Sequence, residues 1–180
     1  MFRKKGIEVL LLSDRVDEWL VDHLTEFEGK HIQSIAKGDL DLGKLEDEKD
    51  KEEIEKVSKD LEPLVERIKK TLGDKVSNVR LSHRLTDSPA CLVSEVYGMS
   101  RSMQRILKAA GQNAPASKPI FEINPNHALI ARLKDEGDDS RFGDLTQILF
   151  DQAVLAEGGQ LDDPAAFVQK LNTLLQRAIA

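Results

Sequence analysis

The apolar positions of the chain follow helical spacing in its middle and final parts, with short strand-like runs between them. Over residues 51–72, aliphatic side chains recur every three or four positions, which predicts one long helix with a single buried face. Short apolar runs predict strands at residues 76–81, 90–93 and 120–123. A turn-forming stretch separates the first two runs, so we expect these two strands to pair as a hairpin.

Further helices are predicted around these strands. One covers residues 100–110 and ends at Gly111, and another begins at Asn124-Pro125, where proline suits the first helical position. Two longer helices follow at residues 141–157 and 164–179. Residues 52–180 therefore have the order α-β-β-α-β-α-α-α, which is typical of an α+β fold.

The beginning of the chain has a different pattern. Residues 7–12 form a continuous aliphatic run that predicts a buried strand, followed by a helix to about residue 24 and a second short strand at residues 31–36. This β-α-β order predicts the remnant of an α/β domain over residues 1–37. Residues 38–51 are acidic and poor in large apolar side chains, so we predict a linker there.

The last two helices each carry apolar residues on more than one face. The positions are Phe142, Leu145, Ile148, Leu149, Val154 and Leu155 in the first, and Phe167, Val168, Leu171, Leu174, Leu175, Ala178 and Ile179 in the second. One face is expected to pack on the domain itself. The other is either buried inside the monomer or paired with a second copy in an intermolecular four-helix bundle.

The helix predicted at residues 100–110 also has two interpretations. It places Met99, Met103, Ile106 and Leu107 on one face and basic residues on the other. That face can pack against the core, as most amphipathic helices do. It can instead form an exposed contact surface, for which flexible methionine side chains are suited. The only tryptophan, Trp19, is likewise either a packing anchor or a contact for a partner.

Composition narrows the class of protein. The chain has 180 residues, 40% of them hydrophobic, and a formal net charge of −6, so an ordinary globular protein is expected. Nucleic acid and anionic membranes attract basic surfaces, and the negative charge argues against both as the main partner. No targeting or membrane-spanning segment is predicted. A single cysteine excludes an internal disulfide and is compatible with the cytoplasm.

Motifs for catalysis are missing from the sequence. The four histidines are far apart, and one cysteine cannot complete a zinc site. Asp39 and Asp41 fit the start of a calcium loop, but Lys44 stands where that loop requires glycine. No glycine-rich loop carries the Lys-Ser/Thr pair that binds nucleotide phosphates. We therefore predict no catalytic residue, no metal site and no cofactor in this chain.

Several long segments resemble the heat-shock protein 90 chaperone family, and its bacterial members in particular. They are residues 2–19 (FRKKGIEVLLLSDRVDEW), 79–90 (VRLSHRLTDSPA), 120–127 (IFEINPNH) and 149–158 (LFDQAVLAEG). The first is similar to the end of the middle domain of that family, and the others are similar to its C-terminal domain.

This resemblance implies an ATP-driven, dimeric chaperone. In the family, ATP and magnesium bind in an N-terminal domain, and the catalytic arginine lies earlier in the middle domain, so neither corresponds to residues in this chain. The resemblance therefore implies a C-terminal fragment without ATPase activity of its own, although the full-length protein is expected to hydrolyse ATP. It also implies that the C-terminal domain is the constitutive dimer interface.

Site residues follow from the resemblance by position. The implied client-binding residues are Trp19, Met99, Met103, Ile106 and Leu107, where Ile106 and Leu107 replace a leucine and an aromatic residue. The implied dimer interface consists of Phe142, Leu145, Leu149, Val154, Phe167, Leu171, Leu174, Leu175 and Ala178.

The expected function is that of a cytoplasmic chaperone fragment that pairs with itself and helps to bind unfolded client proteins. The alternative is a monomeric protein–protein interaction module that holds no clients. The chain ends in Arg-Ala-Ile-Ala, whereas eukaryotic cytosolic relatives end in an acidic peptide that binds tetratricopeptide-repeat cochaperones. Docking of such cochaperones is therefore not expected.

Overall fold

A computed structural model describes residues 6–12, 14, 16–38, 48–95, 99, 103–104, 106–107, 110–112 and 117–179. Among these, the side chains at positions 18, 19, 22, 48–56 and 178 are outside the description. Most of the predicted linker and much of the helix predicted at residues 100–110 therefore fall outside the described residues, as do the side chains of Trp19 and Ala178. The described residues form both helices and small sheets, which confirms the α+β class.

The N-terminal segment, residues 6–38, consists of helix α1 (Asp17–His23) and a small hairpin of β1 (Glu26–Phe27) and β2 (Lys30–His31). Glu28 and Gly29 connect the two strands with φ angles of 48° and 75°. A two-residue hairpin turn favours positive φ at both of its central positions, because this matches the twist of the strands. The second strand therefore includes only His31 of the predicted range 31–36, and it pairs with its neighbour in the chain.

The strand predicted at residues 7–12 is wrong. These residues are irregular, and Leu11 is 89% exposed. A strand needs a neighbour to satisfy its backbone N–H and C=O groups, and the described residues supply no strand beside this run. The aliphatic composition identified a segment suited to burial, but the predicted β-α-β unit is not formed by the described chain.

A three-stranded sheet organises the remainder of the chain, and its last strand lies in the centre. Strand β5 (Ile120–Ile123) is parallel to β3 (Asn78–Leu81) on one side and antiparallel to β4 (Ala90–Val93) on the other. The predicted hairpin between the first two strands is therefore wrong. All four residues of β5 are buried. A strand that is buried on both faces is accommodated best in the centre, where both backbone edges have partners.

The side chains of the sheet alternate between two faces. Phe121 lies opposite Val79 and Leu92 in register, and its ring meets that of Phe150 edge-on with 5.8 Å between centroids. The next row, on the opposite face, consists of Arg80, Glu122 and Cys91. One face therefore belongs to the main core, while the other carries a charged row.

Helices α2 (Glu48–Leu72), α3 (Ala128–Lys134) and α4 (Asp139–Ala156) build the main core with the sheet. Helix α2 begins at Glu48, so the last residues of the predicted linker, 48–51, are helical. Arg67 joins α2 to α4: its guanidinium group lies 3.7 Å from the centroid of the Phe142 ring and pairs with Asp139 at 2.6 Å. The buried apolar residues are Leu61, Leu64, Ile68, Leu72, Val76, Val79, Ala90, Leu92, Phe121, Ile123, Ile130, Leu133, Phe142, Leu149, Phe150, Ala153 and Val154.

The start of α3 differs from the prediction. Helix α3 begins at Ala128 with His127 as its cap, and not at Asn124-Pro125. The Asn124 side chain instead donates to the carbonyl oxygens of Thr86 and Ser88, both at 3.1 Å, and so ties the β3–β4 connection to the end of β5.

Helix α5 (Pro164–Ile179) begins as predicted, because Asp163 Oδ1 accepts from Ala166 N at 2.9 Å and proline occupies the first helical position. No helix within the described residues is both long enough and apolar enough to cross a membrane.

Candidate functional site

Most of the apolar residues of α4 are buried inside the monomer. Phe142, Leu149 and Val154 were predicted to contact a second copy, but each is buried in the main core, and Leu145 packs against the same cluster. The reason is that the sheet and α2 cover this face of α4. The structure therefore places these residues in the monomer core instead of on an outer surface.

Helix α5 leaves large apolar side chains in solvent. Val168, Leu175 and Ile179 are exposed, with Leu175 at 50%. Their offsets of seven and eleven residues place them on one side of the helix, and we call these three residues the outer stripe. Single exposed apolar residues are ordinary, but aligned ones form a surface that another apolar surface can cover. Val168 and Ile179 were not among the predicted interface residues, although helical spacing alone relates them to Leu175.

The inner side of α5 faces α4 across a cleft of about 290 Å³. Phe150, Val154 and Phe167 line it, and Lys170 bridges the two helices by pairing with Asp144 at 2.6 Å. Two further predicted interface residues, Leu171 and Leu174, are half-buried. The predicted interface set is therefore divided: its α4 members lie in the core or pack against it, and among the α5 members whose side chains are described only Leu175 is exposed.

Asp151 lines the same cleft and is partly buried. Burial raises the pKa of Asp151 above its ordinary value of 3.8, while the hydrogen bond from Gln147 Nε2, at 2.7 Å, and the charges of Lys75 and Lys170 act in the opposite direction. A carboxyl group whose pKa is raised by folding makes the folded state more stable at low pH. That contribution is lost as the pH rises through the raised pKa.

We expect Asp151→Asn to stabilise the chain modestly at pH 7, by less than about 1 kcal/mol, because water screens part of the cost of the half-exposed charge. Asparagine keeps an oxygen that accepts from Gln147 but carries no charge. Thermal unfolding followed by circular dichroism should show this gain shrinking as the pH falls, and vanishing below the ordinary aspartate pKa. A gain that grows at low pH would contradict the assignment.

The predicted client-binding residues lie mostly in the connection between β4 and β5. Residues 103, 104, 106 and 107 are helical. Gln112 N donates to Leu107 O at 2.9 Å around Gly111, whose φ of 72° suits a helix C-terminus. Gln104 Nε2 donates to Met99 O at 3.0 Å and to Ser117 Oγ at 3.2 Å, which fastens this short helix to the chain on both sides.

The four apolar residues of this helix are not equivalent. Met103 is only 7% exposed, so its side chain packs against its own chain, whereas Met99, Ile106 and Leu107 are half-buried. The core interpretation therefore holds for Met103, whereas a contact surface stays a prediction for the other three residues. Trp19 lies on α1, in the N-terminal segment.

A buried charge cluster, which was not predicted from the sequence, occupies the second face of the sheet. Glu122 is 2% exposed. Its carboxylate accepts from the Nε and Nη2 atoms of two arginines, Arg80 and Arg84. Arg84 Nε bonds its Oε2 at 2.9 Å and Arg84 Nη2 its Oε1 at 3.0 Å. Arg80 Nη2 and Nε bond Oε1 at 2.7 and 2.9 Å. Ser82 Oγ donates to Oε2 at 3.0 Å. A buried charge is tolerated when it is paired and hydrogen-bonded in this way.

Cys91 lies beside this cluster, with Sγ 3.8 Å from Glu122 Oε2. Burial raises the pKa of the Cys91 thiol to about 12, and the Glu122 carboxylate adds to the shift.

Because the thiolate is the reactive form, we expect Cys91 to react with a disulfide reagent at pH 8 roughly tenfold to a hundredfold more slowly than in the unfolded chain. Equal rates with and without denaturant would show that the thiol is neither shielded nor shifted.

Comparison with known proteins gives one consistent result. The chain matches the family model for Hsp90 protein over residues 1–180. It is 69% identical over 176 residues to Chaperone protein HtpG of Methylococcus capsulatus, covering 98% of this chain and 28% of that protein. It is 63% identical over 175 residues to the HtpG of Dechloromonas aromatica, covering 97% of this chain and 27% of that protein. For the HtpG of Nitrosococcus oceani the identity is 61% over 175 residues, covering 97% and 28%. The chain thus spans less than a third of the length of these curated relatives.

Proposed function

This chain belongs to the Hsp90 protein family, and from that premise we propose that it forms the dimerising end of an ATP-driven chaperone. In this proposal residues 52–180 are the dimerisation domain and residues 1–37 belong to a preceding middle domain. ATP and magnesium would bind to parts of the protein outside this chain, which is proposed to work in the cytoplasm. The observation that carries the proposal is the outer stripe of α5.

The outer stripe supports pairing with a second copy for a physical reason. Transfer of apolar surface out of water contributes about 25 cal/mol per Å², and an exposed aliphatic stripe on a helix gains this only from a partner surface. A two-fold symmetric arrangement lets one stripe cover its own copy. Helices α4 and α5 of two chains would then form a four-helix bundle, with α4 supporting α5 from inside.

Sedimentation velocity distinguishes this function from the alternative, a monomeric interaction module that holds no clients. We expect the chain to sediment as a dimer at micromolar concentration. If it sediments as a monomer over the whole accessible concentration range, the monomeric module is the better description.

Binding of unfolded client proteins is the second part of the proposal, and Met99, Ile106 and Leu107 are its candidate contacts. These side chains are partly accessible on a helix that is fastened through Gln104, while Met103 anchors it. An apolar contact formed by three partly buried side chains suits weak binding of many different sequences, which a chaperone requires. Trp19 remains a proposed contributor from α1.

We expect Leu107→Asp to reduce the ability of the chain to suppress aggregation of an unfolded test protein severalfold, because a charged carboxylate cannot be buried against an apolar segment. The matched control is Leu129→Asp, which makes the same change at an exposed leucine of α3. Light scattering during dilution of the test protein from denaturant gives the measurement. Equal suppression by both variants would remove this helix from the client surface, provided that circular dichroism shows both to be folded.

A further inference from the structure

The arginines that neutralise Glu122 also hold the N-terminal segment. Arg84 Nη1 donates to the carbonyl oxygen of Ile35, and Arg84 Nη2 donates to that of Gly38 at 2.8 Å. Arg80 Nη2 donates to the same Gly38 oxygen, also at 2.8 Å. One set of guanidinium groups therefore links a buried carboxylate in the central strand to the backbone of residues 35–38.

Backbone bonds complete this junction. Gly38 N donates to Ser94 O at 2.8 Å, and Ser94 N donates to Ala36 O at 3.1 Å, so Lys37 forms a parallel bridge with Ser94 at the end of β4. Gly38 is buried and has a φ of 57°, a conformation that glycine adopts without strain. The N-terminal segment is thus joined to the sheet both through main-chain bonds and through the arginines.

The arginine contacts depend on the charge of Glu122. Without a carboxylate between them, the two guanidinium groups would repel each other and would lose the acceptor that fixes their orientation. A guanidinium group can serve several acceptors at once because its donors form a rigid planar fork, and lysine cannot replace it in this role. The bonds to Ile35 and Gly38 should therefore weaken when the carboxylate is neutralised.

We propose that Glu122, Arg80 and Arg84 form a latch that fixes the orientation of the N-terminal segment on the C-terminal sheet. While the latch is closed, the segment and the sheet move as one body. When an uncharged side chain replaces Glu122, residues 35–38 separate from Ser94 and the segment reorients. The main core on the other face of the sheet is unaffected. The latch does not require dimerisation or client binding.

Distances between two spin labels test this proposal in the complete chain. Labels are attached to cysteines introduced at Lys30 and Asp87, which are exposed positions in β2 and in the β3–β4 connection. The native Cys91 is replaced by serine in every labelled chain, because Glu122 contributes to the raised pKa that protects this thiol and the principal variant removes that carboxylate. Labelled chain is diluted with excess unlabelled chain, so that distances between copies do not contribute. We expect a single narrow distance distribution in the otherwise unchanged chain.

Glu122→Gln is the principal variant, since it preserves the shape of the side chain and removes only its charge. It should broaden or displace the distance distribution and speed exchange of the Ser94 amide by about tenfold or more, with exchange in α4 unchanged. The matched control is Asp139→Asn, which removes the charge that pairs with Arg67 away from the junction and should leave the distribution narrow. A narrow, unshifted distribution in folded Glu122→Gln would overturn the proposal.

Arg84→Lys provides an independent decision if Glu122→Gln does not fold. Lysine keeps the positive charge beside Glu122 but cannot reach the carboxylate and the two carbonyl oxygens together. The latch predicts a broadened distribution for this variant as well. If the distribution remains narrow in folded Arg84→Lys, the arginine does not hold the N-terminal segment and the proposal fails.

Discussion

Leu175→Asp is expected to convert dimers of this chain into monomers at concentrations where the unchanged chain is dimeric. Leu175 lies in the middle of the outer stripe and is half-exposed, so the substitution leaves the monomer core intact. In a symmetric interface it acts twice, and it both removes apolar contact and buries a carboxylate. The dimer should weaken on the order of 2–4 kcal/mol, a rise in Kd of about thirtyfold to a thousandfold.

Sedimentation velocity across a concentration series measures this change, and Leu129→Asp is again the matched control, because it places the same charge at an exposed leucine outside α5. The control should remain dimeric. Should Leu175→Asp also sediment as a dimer with unchanged Kd, the outer stripe is not the contact and the proposed bundle has the wrong face.

Phe142→Ala is expected to cost about 3–5 kcal/mol of folding stability, because the ring is buried in the core and its removal leaves a cavity between α2, α4 and the sheet. The Arg67 guanidinium group would also lose the aromatic face 3.7 Å below it. Urea unfolding at a fixed protein concentration gives the measurement, since dimerisation makes stability concentration-dependent.

The same variant separates the core from the interface. Phe142 was predicted from the sequence to contact a second copy, but its burial in the monomer leads us to expect that the folded variant still dimerises. Phe27→Ala is the control, because Phe27 is exposed in the N-terminal hairpin and its loss should change stability by less than about 0.5 kcal/mol. Loss of the dimer by Phe142→Ala without loss of stability would restore the original interface role.

In the three-stranded sheet, local patterns predicted the strands well and their pairing poorly. The runs at Ala90–Val93 and Ile120–Ile123 are strands with the predicted bounds. Short apolar stretches between turn residues are typical of buried strands. The turn before Ala90 favoured a hairpin, but turn composition is a local signal. It contains no information about a third strand that arrives from a distant part of the chain and fits between the other two.

The candidate site shows a similar division. Helical spacing places Met103 and Leu107 on the same face, but it cannot tell which of them meets the rest of the chain, and Met103 alone is well buried. For the charge cluster a signal was present and went unused. Glu122 interrupts an otherwise apolar strand, and an acidic residue at a central buried position requires cationic partners, which Arg80 and Arg84 provide.

The central place of β5 has a consequence for how this region forms during synthesis. Strands β3 and β4 emerge from the ribosome first, and each has a free edge until residues 120–123 arrive to fill the space between them. The sheet therefore cannot close on local contacts, and the loop-closure entropy of its long connection must be overcome before any strand pairing is gained. During that interval both open edges are able to pair with other chains, so a protein of a chaperone family passes through a stage in which it is itself prone to aggregation.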